Sequence, residues 1–491
     1  MNPRTTVVLF AVALLLGAFV YFYEIRGGEQ RKEAEVTASK LFPGIEADGV
    51  DRISLVTSDD VAARVERRDG LWRVIEPVDF PGDAVSLDGI SSTLAQLSSE
   101  GAIDQPQSAD IYGLGEQVQE FRFAVGDVEH TLRIGDKTPV GANTYVATSE
   151  SDKVFMLPSW RVNSLRKSLD DLRDRRPIHF DRNSITRLHA RWPGGGVVVE
   201  KRDDVWWIVD PIEGRADAST LETLLSDLSF LRADGFVDDP PPDAETGLDR
   251  PEFAVELETD SADQETPLHL AMGAVLDGKV RLVRGAQSAL YRVAEQRLGD
   301  FPRALLTYRF KELASFVESE AASFELAFDD PAHESLEIRG QRSDQGWESS
   351  PEAMAADKAA DMLAELSRLK AIDILADFMG EAELSELGLA PPHVKLRVFG
   401  AAEEGAEPPL LAEVHLGQVD PERGIVAKTP DRPTVYRIPH SLAEHLPVSV
   451  EAFRNRFLFE EPASPESEAA RGDEELTDPT LNPLEELEGA P

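Results

Sequence analysis

The histidines of this chain are the side chains best suited to metal or acid–base chemistry. The nine histidines are scattered over 491 residues, and no H-E-x-x-H motif places two of them on one helix face. His440 and His445 are five positions apart, which puts them on different faces of a helix. The chain has no cysteine, which excludes disulfides, thiolate metal sites and cysteine nucleophiles. The sequence therefore predicts no metal site and no cofactor.

Paired acids are the second candidate for chemistry. Neighbouring aspartates occur at positions 170/171, 203/204 and 238/239. Glycoside hydrolysis needs two carboxylates held at a set separation across a cleft, and adjacent residues of one element do not provide that. The chain has 91 acidic residues, so such pairs arise freely on a solvated face. We predict no catalytic residue.

A glycine-containing segment, IGDKTPVG at 134–141, invites comparison with a phosphate-binding loop. It lacks the G-x-x-x-x-G-K-[ST] spacing and does not open an obvious helix. Similar segments, MGAVLDG and LGQVDPERG, occur at the matching place in two later parts of the chain. A hairpin turn explains all three segments better than a phosphate site.

Three tryptophans, Trp72, Trp206 and Trp347, occur in similar surroundings and allow two interpretations. They form stacking platforms for a sugar or peptide, or they are core aromatics that close a strand onto its helix. Apolar residues alternate on either side of each tryptophan, which favours the core. We predict that the three tryptophans are structural or interaction positions.

The surroundings of the tryptophans reveal an internal repeat. The chain reads DGLWRVIEP around Trp72 and DDVWWIVDP around Trp206, and a shorter QGWESSP around Trp347. Trp72 and Trp206 are 134 positions apart, and so are Gly113 and Gly247, and Arg175 and Arg309. Three landmarks with one offset indicate tandem copies of one module.

Each tryptophan is followed by a stretch with helical spacing of apolar residues, beginning at Ser86, Asp217 and Ala356. Asp217 and Asp357 are suited to be helix N-caps. The apolar positions predicted to face a core are Leu94, Leu97, Leu221, Leu224, Leu225, Leu228, Leu231, Met362, Leu363, Leu366 and Leu369.

A glycine follows each of these helices, at Gly113, Gly247 and Gly388. We predict that each one takes positive φ in a turn before a strand, and we include the three among the structural or interaction positions. Pairs of alternating strands come next, then a second helix that ends in basic and aromatic residues. The arginines of these ends complement helix C-termini or pair with acidic loops of the next module.

The predicted fold class is α+β. An N-terminal transmembrane helix precedes three tandem repeats of an antiparallel sheet with two helices, and a disordered acidic tail follows. The predicted boundaries are 1–25 for the transmembrane anchor, 26–49 for a linker or stalk, 50–182 for module 1, 183–317 for module 2, 318–459 for module 3 and 460–491 for the tail.

The predicted anchor rests on residues 5–23, which are uncharged and lie between Arg4 and Glu24. Nineteen helical residues at about 1.5 Å each span most of the hydrocarbon layer. A cleaved signal peptide would be shorter and would end at small residues, whereas this segment ends in Tyr21, Phe22 and Tyr23. We expect an inner-membrane protein with a single span and its bulk on the extracytoplasmic side.

The charge of the chain excludes one class of partner. Fifty basic residues against 91 acidic residues give a net charge of −41, which repels a phosphate backbone. The tail contributes eleven acidic residues against Arg471 alone. We predict that this tail is disordered and that the protein does not bind nucleic acid.

Several motifs together carry a family resemblance. They are YFYE at the end of the apolar segment, KLFPGI from Lys40, DGLWRVIEP, IGDKTP and SLDDLRDRR. The chain resembles the bacterial family called domain of unknown function 4340, most closely over residues 1–180. The third copy departs from the pattern because its tryptophan motif lacks the apolar residues that follow. The family offers no catalytic residues to transfer.

The resemblance implies an accessory component of an ABC transporter of the gliding-motility type. The implied partners are the permease, the ATPase and a large extracytoplasmic auxiliary protein. We therefore expect a non-catalytic, membrane-anchored scaffold or accessory subunit. The alternative is a periplasmic carbohydrate- or peptide-binding protein, or a hydrolase, with its site between modules. An envelope spacer without a ligand is a third interpretation.

Overall fold

A computed structural model describes residues 39–56, 63–115, 118–260, 267–276, 278–329, 335–403 and 405–458. The predicted anchor at 1–25, the first part of the predicted stalk and the predicted tail at 460–491 lie outside the described residues. None of the helices in the described ranges is both long and apolar enough to cross a membrane.

Three antiparallel sheets make up most of the described chain. The strands of the first sheet are β1 (Val50–Val56), β2 (Ala63–Arg68), β3 (Leu71–Glu76), β4 (Phe80–Pro81), β5 (Gly101–Ile103), β6 (Gln119–Val125), β7 (Val128–Lys137), β8 (Asn143–Thr148) and β9 (Ser151–Pro158). Their order across the sheet is β4-β3-β2-β1-β6-β7-β8-β9-β5. The first strand is central because it pairs with both β2 and β6.

The second sheet repeats this arrangement. Its strands are β10 (Ile185–Trp192), β11 (Gly195–Arg202), β12 (Val205–Asp210), β14 (Gly235–Val237), β15 (Phe253–Thr259), β16 (Leu268–Leu276), β17 (Val280–Arg284) and β18 (Leu290–Ala294). They follow one another in the order β12-β11-β10-β15-β16-β17-β18-β14. A two-residue strand, β13, covers Gly214–Arg215.

The third sheet has the same order of strands. They are β19 (Ala321–Phe328), β20 (Leu336–Ser343), β21 (Gly346–Ser350), β22 (Asp373–Ala376), β23 (Val394–Gly400), β24 (Leu410–Asp420), β25 (Gly424–Lys428) and β26 (Val435–Ile438). The order is β21-β20-β19-β23-β24-β25-β26-β22. The three copies therefore share one topology, and the prediction of a mixed α+β fold with three antiparallel sheets is confirmed.

Each copy has one longer helix and two short ones. They are α1 (Ala84–Gln96), α2 (Ser159–Leu165), α3 (Leu169–Leu172), α4 (Ala218–Phe230), α5 (Asp243–Thr246), α6 (Leu305–Tyr308), α7 (Ala356–Leu366), α8 (Glu381–Glu386) and α9 (Val450–Arg456). All eleven apolar positions predicted from helical spacing are buried. These ten leucines and Met362 pack into the cores of their modules, and burial of one apolar face is the usual source of helix stability in a small domain.

Two details of the helices differ from the sequence prediction. Helix α7 begins at Ala356 with Ala355 as its N-cap, so Asp357 lies in the first turn and is not the cap. An aspartate is also favourable inside the first turn, because it lies near the positive end of the helix dipole. The second helix expected in each module is short, and the second copy has the 3-10 turn Glu295–Asp300 before a four-residue helix.

The start of the first module also differs from the prediction. Leu41 and Phe42 fall in the predicted stalk at 26–49, yet both are buried. The Leu41 amide donates to the Leu97 carbonyl at 2.9 Å, and the Phe42 ring meets Phe123 edge-on at 4.9 Å. The described end of that segment is therefore part of the first core, because its apolar side chains close the open side of the sheet.

The chain divides into two compact units. The first comprises residues up to 213 together with 218–307, and it contains the first sheet and nearly all of the second. The second unit comprises 214–217 together with the residues from 308 onward, and it contains the third sheet. The first two modules thus pack as one body, which sequence repeats alone do not predict.

Candidate functional site at the first linker

The three predicted tryptophans occupy one position in three sheets. Each lies on the third strand of its copy, opposite a basic residue of the second strand. The side chains are buried, with 5%, 8% and 7% exposure for Trp72, Trp206 and Trp347. Each is thus mainly a packing residue.

Trp72 has polar neighbours as well. Its indole Nε1 donates to Asp88 Oδ1 at 2.8 Å, and the guanidinium carbon of Arg67 lies 4.5 Å from its ring centroid. Arg342 covers Trp347 in the same way at 5.3 Å. A cation over an indole stabilises the ring electrostatically and shields it from water.

The three predicted glycines all take positive φ, at 67°, 72° and 69° for Gly113, Gly247 and Gly388. Each turn is crossed closely by a second glycine that the sequence analysis did not single out. A side chain at Gly135, Gly273 or Gly417 would collide with the carbonyl oxygen just before the first glycine. The signal was present, because these second glycines lie in the IGD, MGA and LGQ segments. These six glycines shape turns next to strands, and none of them lines the cavity described below.

A short segment, residues 173–178, joins the first sheet to the second; we call it the first linker. On one side the Asp174 amide donates to the Pro81 carbonyl at 2.9 Å. On the other side the Arg175 carbonyl accepts from the Ala233 amide at 2.8 Å, and the Pro177 carbonyl accepts from the Ala286 amide at 3.0 Å. The first linker is therefore bonded to both modules through its backbone.

Arg173 is the most buried charged residue of the first linker, with a side chain 1% exposed. Its guanidinium carbon lies 4.3 Å from the Phe80 ring centroid and 4.1 Å from that of Phe236. It forms an ion pair with Asp238, with Nη1 3.2 Å from Oδ2. Phe80 belongs to the first module, while Phe236 and Asp238 belong to the second, so one side chain holds both. This agrees with the predicted pairing of basic helix ends with acids of the next module.

Asp174 is the buried acid of the first linker. It accepts from Arg176 Nη2 at 3.0 Å and from His179 Nε2 at 2.7 Å, and its Oδ1 accepts from the Arg176 amide at 2.9 Å. Burial alone would raise the pKa of Asp174, but the hydrogen bonds from His179 and Arg176 outweigh it and hold that pKa well below its usual range. The carboxylate therefore stays ionised at neutral pH.

Tyr291 faces the same region from the second module. Its ring contacts Phe236 at 5.4 Å between centroids and Phe80 at 6.0 Å. Burial and the nearby charge of Asp174 both raise the pKa of the Tyr291 hydroxyl well above its usual value. The hydroxyl is consequently neutral, and it can donate or accept a hydrogen bond.

A cavity of about 490 Å³ opens where these groups meet. It lies between the first and second modules inside the first unit. Its apolar and aromatic walls include Leu71, Trp72, Pro81, Ala84 and Tyr291. Its polar walls are Arg68, Arg73, Asp88, Asp174, Arg176, His179 and Gln287. Of the six residues singled out in the sequence, only Trp72 lines this cavity.

The second unit has a corresponding segment at residues 309–314, which we call the second linker. The Phe310 amide donates to the Arg215 carbonyl at 3.1 Å, and the Lys311 carbonyl accepts from the Ala371 amide at 2.8 Å. Arg309 forms an ion pair with Asp377, as Arg173 does with Asp238. Each arginine also forms a β-bridge with the residue before the aspartate that precedes a long helix, Gly82 for Arg173 and Ala216 for Arg309. Arg309 is therefore equivalent to Arg173, and its predicted match with Arg175 is wrong. The second linker is therefore held by the same kinds of contacts.

The side chains around the second linker differ from those around the first. Phe310 occupies the place of Asp174, and Arg215 lies over its ring at 4.1 Å. Arg432 lies four residues before Tyr436, as Gln287 lies four residues before Tyr291. The Arg432 guanidinium lies 5.1 Å from the Phe310 centroid and donates to the Glu312 carbonyl at 2.8 Å. A guanidinium therefore covers the side chain of the second linker, at the matching position to the Gln287 that lines the cavity beside the first.

Within the described ranges, no three histidine, aspartate or glutamate side chains cluster closely enough to hold a metal ion. His440 begins a 3-10 turn that ends at Glu444, just before His445. The acids that line the cavity are committed to ion pairs, so the site is equipped for binding.

A family profile described as "Domain of unknown function (DUF4340)" matches residues 72–251 and again residues 243–392. No curated protein matches the chain. A solved structure, the DnaN sliding clamp (DNA polymerase III subunit beta) of Pseudomonas aeruginosa bound to griselimycin, aligns with 8% identity over 82% of this chain and 94% of that chain. Its TM-score is 0.12, and a likeness of that size carries no argument.

Proposed function

The chain belongs to the DUF4340 family, and we propose that it is a non-catalytic, membrane-anchored extracytoplasmic scaffold. We further propose that it is an accessory subunit of an ABC transporter of the gliding-motility type. The observation that carries the scaffold proposal is the repetition of one topology in three sheets, with linkers that are hydrogen-bonded on both sides. Arrays of this kind present extended surfaces to partners.

The chemistry of the cavity supports a role without catalysis. A hydrolase that uses a carboxyl group as its general acid needs the pKa of that group to lie near the working pH, so that the group can donate a proton. The pKa of Asp174 is lowered, and its oxygens accept hydrogen bonds from Arg176 and His179. Asp88 accepts from Trp72 and forms an ion pair with Arg67. These acids are better suited to building the walls than to transferring protons.

The membrane part of the proposal rests on residues 5–23, which lie outside the described residues. A single tether would hold the modules at the membrane and raise their effective concentration near a transporter, so that weak contacts suffice. A permease and its ATPase are the partners that the family resemblance suggests.

The partner proposal is tested by crosslinking the tagged full-length protein in intact cells and purifying it in mild detergent. Mass spectrometry should identify an ABC permease and its ATPase, both absent when an unrelated single-span protein with the same tag is treated identically. Recovery of the protein alone would overturn the accessory role.

The location is tested separately by labelling a single cysteine. Because the chain has no cysteine, Val140→Cys introduces one unique thiol at an exposed position. A membrane-impermeant maleimide should label it in intact cells, as it would a known extracytoplasmic thiol. Labelling only after the cells are lysed would place the modules in the cytoplasm.

A further inference from the structure

We infer that the cavity beside the first linker binds a small molecule with a carboxylate and a flat apolar body. This site is independent of the proposed accessory role, because it requires only the first unit.

The acids of the cavity have little capacity left. Both oxygens of Asp174 accept hydrogen bonds from Arg176, and one of them also accepts from His179. Asp88 Oδ1 accepts hydrogen bonds from the Trp72 indole and from the Arg67 guanidinium. Asp88 Oδ2 is the one acid oxygen of the cavity walls without a described partner, and it belongs to a carboxylate that Arg67 already pairs.

The arginines of the cavity retain unused donors. Arg68, Arg73 and Arg176 each use Nε and Nη2 to bind one carboxylate. In the described part of the chain, no group accepts a hydrogen bond from Nη1 of any of the three. A guanidinium presents its N–H groups in a planar fork that matches a carboxylate. The ligand that completes these contacts is an acceptor-rich anion.

The location of these donors is unusual for this chain. A net charge of −41 repels anions from most of the surface, so an anion site requires a local group of cations. Arg68, Arg73 and Arg176 all line one cavity, and each keeps an Nη1 that no described group pairs. The donors that could receive an anion are therefore concentrated at one cavity.

The walls indicate the rest of the ligand. Trp72 and Tyr291 border the cavity but are only 5% and 1% exposed, so the accessible apolar surface comes mainly from Leu71, which is 75% exposed. An exposed leucine gains free energy when an apolar group covers it. A volume of about 490 Å³ lies within the range of small-molecule sites, which are about 300–1,000 Å³. A flat ring bearing a carboxylate fits both the walls and the donors.

The test is a calorimetric titration of the full-length protein with indole-3-acetate, with the neutral indole-3-acetamide as the matched probe. The two differ only in the carboxylate. Loss of a charge-assisted hydrogen bond should weaken the binding of the amide by about tenfold or more. Equal affinities for the two probes, or no binding of indole-3-acetate, would overturn the proposal.

Matched substitutions locate the binding. Ala286→Trp fills the cavity from an exposed loop position, and Ser288→Trp adds the same bulk to that loop outside the cavity. Leu71→Asp places a negative charge among the cavity walls, and Val85→Asp does so on an exposed residue that does not line the cavity. The first member of each pair should lose binding of indole-3-acetate, and the second should keep it. Undiminished binding in both Ala286→Trp and Leu71→Asp would overturn the assigned site.

Discussion

The first and second linkers follow similar backbone paths with different side chains around them. In both, amide and carbonyl groups bond to neighbouring strands on two sides, and an arginine pairs with an aspartate that follows a short edge strand. The side chain after that arginine is Asp174 in one linker and Phe310 in the other. Gln287 lines an open cavity at the first linker, whereas Arg432 covers Phe310 at the second.

The difference shows which part of a repeat is free to change. Peptide groups make the same hydrogen bonds whatever side chain they carry, so the backbone frame persists when the sequence diverges. The space beside the frame is filled by side chains, and a few substitutions can open or close it. The first linker thereby combines a structural role with a cavity, while at the second linker Arg432 lies over Phe310.

The largest difference in stability between the two linkers should come from replacing Arg173 and Arg309. Arg173→Ala should lower the free energy of unfolding by about 3 kcal/mol, because it removes a buried cation that two aromatic rings and an acid surround. Arg309→Ala should cost about 1 kcal/mol, because its side chain is 18% exposed and its partner is largely solvated. Urea denaturation of the full chain measures both, and equal losses would contradict the contrast.

An intermediate effect on stability should come from Asp174, the acid whose place Phe310 takes in the second linker. Asp174→Asn should cost about 2 kcal/mol at pH 7, because the mutant cannot accept the charge-assisted hydrogen bonds. The pKa of Asp174 is lowered in the folded state, so its contribution is complete above the usual carboxyl range and is lost as the pH falls below about 4.

Hydrogen exchange over residues 173–179 checks this prediction, since it reports local opening. The difference between wild type and Asp174→Asn should shrink as the pH is lowered from 7 to 3. The second linker provides the internal control, because Phe310 cannot titrate. A difference that is constant with pH would show that the carboxylate charge does not matter.

The smallest effects on stability should come from Arg432 and Gln287, which hold matching positions beside the two linkers. Arg432→Gln should cost about 1 kcal/mol, because the guanidinium loses its contacts with Phe310 and with the Glu312 carbonyl. The matched Gln287→Ala should change stability by less than about 0.5 kcal/mol, because the side chain only borders a cavity. Thermal unfolding of the two variants compares them, and the reverse order would contradict the comparison.

Much of the fold could be predicted from periodicity and repetition. Leu221, Leu224, Leu225 and Leu228 face one side of a helix because residues three and four apart share a face, and all four are buried. Gly247 has positive φ at the repeat position where a turn was expected. Signals of this kind are local, and three copies of each made them easier to recognise.

The candidate site was harder to predict because its residues are distant in sequence. Arg173 meets Phe80 and Phe236, which are separated by more than a hundred positions, and nothing local marks them as neighbours. The same applies to Gly135, whose close approach to the Tyr112 carbonyl depends on the 3-10 turn Ala109–Tyr112 packing against strand β7. Leu41 falls in the predicted stalk because the residues that precede it are polar. Tertiary packing decided all of these positions.

The backbone bonding of the first linker also bears on how proteases meet this protein. A protease binds its substrate as an extended strand, and it needs several consecutive peptide groups free to enter the active site. In the first linker the groups at Asp174, Arg175 and Pro177 are engaged with neighbouring strands, and Arg173 is buried. Three arginines within four residues would otherwise be an open tryptic site. Digestion there must await local unfolding, so the two modules should survive as one resistant fragment.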